Sequence, residues 1–444
     1  MSNNSTTSAT TRSGKEDKEE IAAWVGLDWA DKEHKISLYE TGTGRVEAST
    51  LKQTAEAIQE WLAELKARYN GAKVAVVLEQ SRGAVINALM DCDFIVLYPV
   101  NPQALHSYRK AFATSGSKND PTDAQLLGDI VRKHPEKFRP WVADDVDTRS
   151  IRLLVEDRRK LVDQVTRLTN QLTSCLKAYY PQALDWAGEL DSEQACDFLK
   201  KWPTLEKLRS AGTVRLRNFY MRYGRPRKET IDLRLEQIKR AVPLTRDPAA
   251  VLTGSLKAES LVAQIRPLLE MIQRYDDQIK QLFQPHPDRL LFESFPGAGA
   301  VLAPRLMVAF GADRDRWESA DDLQRWSGIA PVTVQSGSLN WVHYRWACAK
   351  FHRQTFHEFA AQSVIQCEWA RAFYDRMTKV DKKGRHVALR ALAYKWIRIM
   401  FRCWKDRLPY DDQLYIRALK TRHSPLPALV EQLQETKRNN KKTA

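Results

Sequence analysis

The chain has 444 residues, 43% of them hydrophobic, and carries 70 Lys and Arg against 55 Asp and Glu, a formal charge of +15. That length predicts two or three hydrophobic cores, and the charge favours a polyanionic partner, because each neutralised phosphate releases counterions. No apolar run is long enough to span a bilayer, and the polar residues 1 to about 20 read as a disordered tail without a signal-peptide segment, so a cytoplasmic protein is expected.

Ile21 to Trp29 reads as an apolar strand carrying one acid, Asp28, and His34 to Glu40 alternates like its hairpin partner. Thr54 to Tyr69 has helical periodicity. Ala72 to Gln80 is a buried-type strand with Glu79 near its end, and a short helix follows around Gly83 to Met90. Phe94 to Pro102 is a strand that stops at prolines. After a short helical connection, "SKNDPTDAQLL" (Ser117 to Leu127) opens another helix. Hairpin strands followed by alternating helices and strands indicate a mixed α/β sheet, assigned to residues 21–140.

The character changes after Trp141. Ile151, Leu154, Leu161, Val165, Leu168, Leu172 and Cys175 keep a 3–4 spacing that only Arg158 interrupts, as in a coiled-coil seam. A matching run occurs at Leu261, Ile265, Leu268, Ile272, Tyr275, Ile279 and Leu282. The two runs suit either an antiparallel hairpin or pairing with another subunit. Between them, "VRLRNFYMRYGRPRKE" (Val214 to Glu229) interleaves Arg215, Arg217 and Arg222 with aromatic residues, a pattern for stacking unpaired bases and holding phosphates. This region, 141–287, is followed by a mainly helical part, 288–422, and a basic tail, 423–444. The mainly helical part opens on "FPGAGAVLAPRL", where a Pro-Gly-x-Gly turn before a helix resembles a helix-hairpin-helix element. The six cysteines are scattered without C-x-x-C spacing, which argues against zinc and disulfides and for buried free thiols.

Asp120 and Asp123 stand three apart at a helix start, where capping is the ordinary role of Asp and Pro121 is at home in the first turn. Asp28 and Glu79 are harder to explain. An acid within or at the end of an apolar strand is costly unless paired or metal-bound. If all four converge on one sheet edge, they make an oxygen-rich site suited to Mg²⁺ or Mn²⁺, and a metal pair there would clamp the oxygens of a phosphodiester.

An Asp in the first strand, a Glu after a later strand and a D-x-x-D on a helix resemble an RNase-H-like fold of the RuvC type. With "VGLDWA", "VVLEQS", "YPVNPQAL" and "SKNDPTDA", and later "FPGAGAVLAPRL", "LQRWSGIAPVTVQSG" and "FHRQTF", the chain resembles the DEDD transposases of the one-ten family of bacterial insertion sequences, the bridge-RNA-guided recombinases. The resemblance implies a RuvC-like domain at 21–140, coiled-coil helices with a basic insert, and a C-terminal transposase domain.

It further implies that Asp28, Glu79, Asp120 and Asp123 bind Mg²⁺ or Mn²⁺. A serine of the C-terminal part would be the nucleophile. Its motif falls on Ser336-Gly337, with Ser338 in reserve, because Ser338, Leu339 and Asn340 stand where many relatives carry a further glycine and a lysine. Lys118, Arg345, Lys350 and Arg353 would hold DNA phosphates, and Ser336 would form a covalent link to DNA during strand exchange. A guide RNA would pair with donor and target DNA, and a homodimer assembling to a homotetramer through the coiled coils would build composite sites between subunits. The competing expectations are a structure-selective nuclease using water as nucleophile, and a basic scaffold whose acids are only caps.

Overall fold

The computed structural model describes residues 20–79, 83–112, 120–224, 227–337 and 339–442. The side chains of Phe112, Asp120, Pro121, Thr122 and a few residues of the last helix lie outside the description, as do Lys118 and Ser338 altogether. The chain forms two compact units, divided between Ala143 and Asp144.

In the first unit the strands are β1 (Ala23–Asp28), β2 (Glu33–Glu40), β3 (Val46–Lys52), β4 (Val74–Leu78) and β5 (Ile95–Pro99), and the helices are α1 (Ala55–Arg68), α2 (Ala84–Leu89), α3 (Pro102–Phe112) and α4 (Asp120–Lys133). They build one sheet in the order β3-β2-β1-β4-β5, with β1, β2 and β3 antiparallel and β1, β4 and β5 parallel. The interior strand β4 is Val-Ala-Val-Val-Leu, buried throughout, because both faces of the sheet are covered. Val74, Val76 and Leu78 face Ile58 and Leu62 of α1 and Val85 and Leu89 of α2. Ala75 and Val77 face Leu105 of α3 and Leu127, Ile130 and Val131 of α4.

The edge strand β3 is absent from the sequence reading. Only Leu51 of its seven residues is buried, so the strand carries almost no apolar period to detect.

In the second unit α5 (Val146–Tyr179) and α11 (Pro248–Phe283) bracket a helical insert made of α6 (Ala183–Trp186), α7 (Glu193–Lys201), α8 (Leu205–Arg209), α9 (Thr213–Arg222) and α10 (Lys228–Arg240). Both long helices begin on an Asp cap: Asp145 accepts from Thr148, and Asp247 accepts from Ala249 and Ala250 ahead of Pro248. Contacts fix their direction: Thr148 meets His286, Arg158 meets Asp276, and Cys175 meets the Gly254 carbonyl. The helices are therefore antiparallel within one chain. Arg158, the residue that breaks the apolar seam, reaches across it to hold Asp276 through two nitrogens, Nη2 at 2.9 Å.

Beyond α11 come α12 (Arg289–Glu293), α13 (Gly299–Phe310), α14 (Ala320–Trp326), the ribbon β6 (Val332–Ser336) and β7 (Leu339–His343), α15 (Lys350–Gln366), α16 (Glu368–Asp375), α17 (Arg385–Asp406), α18 (Asp412–Thr421) and α19 (Leu426–Lys442). One core joins the feet of the long helices (Ile151, Val155, Ile279, Phe283) to Phe295, Phe310, Trp396 and Trp404 of this C-terminal part. A second core joins their far ends (Leu172, Leu176, Leu261, Ile265) to Trp202 and Phe219 of the insert. Among the described residues no helix is long and apolar enough to cross a membrane, and all six cysteines are free thiols.

Candidate functional site

Asp28 is the last residue of β1, and Glu79 directly follows β4. The parallel register pairs Leu27 with Leu78, so one step further both carboxylates leave neighbouring strands side by side, at a strand spacing of about 4.8 Å. Asp123 arrives from α4, one turn inside the helix, with 5% of its surface exposed. Its placement depends on Gly26. A Cβ there would lie 1.8 Å from the Ala124 carbonyl oxygen and 2.7 Å from the Gly128 nitrogen, so α4 lies directly on the backbone of β1.

Asp28, Glu79 and Asp123 line one pocket of about 450 Å³ together with Trp29, His106 and Arg109. Arg109 of α3 sits 2.7 Å from Asp123 and supplies a positive charge there. Asp120, the first residue of α4, precedes Asp123 by one turn. Among the described residues no three side chains stand close enough to grip one metal ion as placed. The donor chemistry nevertheless suits a hard divalent cation, since the acids offer only oxygen and Arg109 already holds a positive charge against one of them. The sequence reading missed Gly26, His106 and Arg109; Gly26 beside an apolar strand's single acid was the available signal.

Ser336 closes β6 opposite Leu339, at the tip of a two-stranded ribbon whose turn runs through Gly337 at φ +58°. The ribbon was not expected from the sequence. Its strands are short and almost wholly exposed, with Leu339 at 75% and Trp341 at 64%, so no buried face marks them. Arg345 follows the ribbon's base, Lys350 opens α15 in an exposed position, and Arg353 lies one turn on. Arg353 donates to the Arg345 carbonyl at 3.3 Å and stacks on Tyr344.

Of the basic residues expected on the insert, Arg215 and Arg222 are exposed and line an open cleft of about 1000 Å³ with Lys201 and Asn218. Arg217 is held by Asp232 of α10. The aromatic part of the expectation is corrected. Phe219 and Tyr220 are buried in the insert's core and cannot stack on a base. Tyr223 donates to Asp197, and burial together with that carboxylate pushes its hydroxyl pKa up to about 12. Spacing alone could not show that these rings face the insert's core rather than solvent.

Two family descriptions match. A DEDD transposase model of the IS110 type covers residues 25–181, and one described as Transposase IS116/IS110/IS902 family covers residues 289–375. The mini-circle putative transposase for IS117 of Streptomyces coelicolor is 28% identical over 407 residues, 89% of this chain and 97% of the relative. The insertion element IS110 uncharacterized 43.6 kDa protein of the same species is 25% identical, over 90% of this chain and 98% of the relative. The insertion element IS900 uncharacterized 42 kDa protein of Mycobacterium paratuberculosis is 23% identical, over 87% and 96%.

A mixed sheet with carboxylates at one edge, in a basic chain matched along most of its length by insertion-element proteins, defines a transposase, an enzyme that cleaves and rearranges DNA. The chain belongs to the IS110 family of transposases.

Proposed function

We propose that this transposase cuts and exchanges DNA strands through a serine-linked intermediate, with a divalent cation held by Asp28, Glu79, Asp120 and Asp123, and with a structured guide RNA selecting the DNA. The observation that carries the reading is the convergence of Asp28, Glu79 and Asp123 on one pocket at the end of β1 and β4. The strand order β3-β2-β1-β4-β5 supports an RNase-H-like, RuvC-type unit.

When bound, Mg²⁺ or Mn²⁺ supplies charge neutralisation at the phosphodiester. The chain's own residues do the rest. The Ser336 hydroxyl forms an Oγ–P bond as a P–O bond of the strand breaks. The hydroxyl proton leaves, and the departing oxygen takes one up. A phosphodiester replaces a phosphodiester, so the cut end keeps its bond energy and rejoining to another strand needs no ATP. Arg345, Lys350 and Arg353 neutralise backbone phosphates beside the ribbon. Arg109 orients Asp123 through their ion pair.

The Lys201, Arg215 and Arg222 cleft on the insert supports RNA binding by charge rather than by stacking. Leu161, Leu268, Ile272 and Tyr275 remain half-buried midway along the α5–α11 hairpin, which supports this stripe as the contact of a homodimer that assembles to a homotetramer.

Ser336→Ala tests the chemistry. Full-length protein with Mg²⁺ and element DNA is expected to lose strand exchange and strand cutting together. Retained cutting with water as the attacking group would replace the serine reading by a RuvC-like nuclease.

A further inference from the structure

The base of the ribbon opens on a cleft of about 730 Å³ lined by Asp321, Arg325, Tyr344, Arg345 and Arg390, among others. Its charges are unbalanced. Arg325 is neutralised by Asp322 at 2.6 Å. Glu358, which lies on α15 like Arg353, is spent on Arg159 and Arg305. Among the described residues no carboxylate bridges to Arg345, Arg353 or Arg390, although Asp321 lines the same cleft.

Instead, two guanidinium groups share one aromatic ring. Arg390 of α17 stands 3.9 Å and Arg353 of α15 4.8 Å from the centroid of Tyr344. The buried Nε of Arg345 has no hydrogen-bond partner among the described residues. One turn away on the same two helices, His357 stacks on His386 at 5.6 Å. Burial, His386 and Arg390 together hold the His357 pKa below its ordinary value. Like charges crowd here, and the electron-rich face of one ring offsets part of their repulsion. A bound anion would relieve the remainder.

We propose that Tyr344, Arg345, Arg353 and Arg390 form a clamp for a phosphate of the DNA strand flanking the scissile one, with Arg390 as a positioning residue. The inference rests on Ser336 being the nucleophile. The register sets the distance: Ser336 pairs at the tip with Leu339, whereas Val332 pairs at the base with His343. Four residues at about 3.3 Å each separate tip from base by about 13 Å. That is about four nucleotide steps along a duplex axis. The clamp is therefore too far from the hydroxyl to hold the phosphate under attack. It sets the register of the strand along a ribbon that carries the exposed Trp341, with Trp346, 77% exposed, just past its base. A two-stranded ribbon is narrow enough for a major groove.

The test uses full-length protein, a fluorescent duplex oligonucleotide and a salt titration of binding. Arg390→Ala is expected to lower the slope of log affinity against log salt by about one, the signature of one lost phosphate contact. Arg390→Lys is expected to restore the slope, and Ser336→Ala to leave it at the wild-type value. Arg353→Gln, the second cation at the same ring, is expected to lose the same unit and carries the test if Arg390→Ala melts early. A wild-type slope in both Arg390→Ala and Arg353→Gln overturns the clamp, as does a slope change seen with a structured RNA probe and not with DNA. Failure of the serine reading appears elsewhere, as strand exchange retained in Ser336→Ala.

Discussion

Gly26 carries more of the acidic pocket than its size suggests. Any side chain there collides with the backbone of α4, so Asp28 and Asp123 are held together by the absence of a Cβ. Gly26→Ala is expected to cost about 1–3 kcal/mol through overpacking. It should lower the thermal midpoint and shrink the extra stabilisation expected when Mn²⁺ is added to the wild type. An unchanged Mn²⁺ increment would show that the α4–β1 contact does not set the carboxylates. Cys367 makes a different residue-level point. Burial pushes its thiol pKa up to about 12, and Cys403 is pushed up to about 11, so neither forms thiolate near neutrality. Native protein treated with iodoacetamide at pH 8 should leave both unmodified by peptide mass mapping, and rapid labelling would contradict their burial. The sequence reading of buried free thiols holds for Cys367, whereas Cys403 is free but only half-buried. The glycine was not legible in the sequence, because its role depends on a helix about a hundred residues away.

Among the elements, those with a strong apolar period were readable: β1, β2, β4, β5, α1 and the two long helices. The edge strand β3 and the ribbon β6–β7 were not, since both lie at the surface and their residues pack against little. The Arg158 interruption in the α5 seam reads as a flaw until its partner on α11 is seen. Replacing Arg158 or Asp276 singly by Ala should cost about 1–3 kcal/mol, by loss of charge-assisted hydrogen bonds, and a double-mutant cycle in urea should return coupling between them. Additive losses would mean that the pair contributes nothing as a pair.

Asp197 ties the insert to α11 in the same way. Burial opposes its ionisation, but hydrogen bonds from Tyr223 and Arg266 outweigh it and hold the pKa below the ordinary 3.8. A lowered carboxylate contributes stability that is present above its unfolded pKa and lost as pH falls through the folded value. Melting the wild type and Asp197→Asn between pH 7 and pH 3 should therefore show a gap that narrows at the acid end. A constant gap would assign the effect to packing instead.

For the whole molecule, length and charge pointed to several cores and a polyanionic partner, and the quoted motifs led to the transposase family. What the sequence withheld were side-chain partners: Arg109 against Asp123, Arg390 over Tyr344, and the inward turn of Phe219 and Tyr220. Each depends on two elements meeting, which no local period reports. Ser336 and the carboxylates belong to different compact units, and the proposed reaction requires both. Mass spectrometry of the protein trapped with element DNA and Mg²⁺ tests it most directly. A nucleotide linked to the peptide carrying Ser336 is expected, formed by the wild type and missing in Asp28→Ala, Glu79→Ala and Asp123→Ala. A nucleotide on another residue, or cut DNA with no adduct at all, would contradict it.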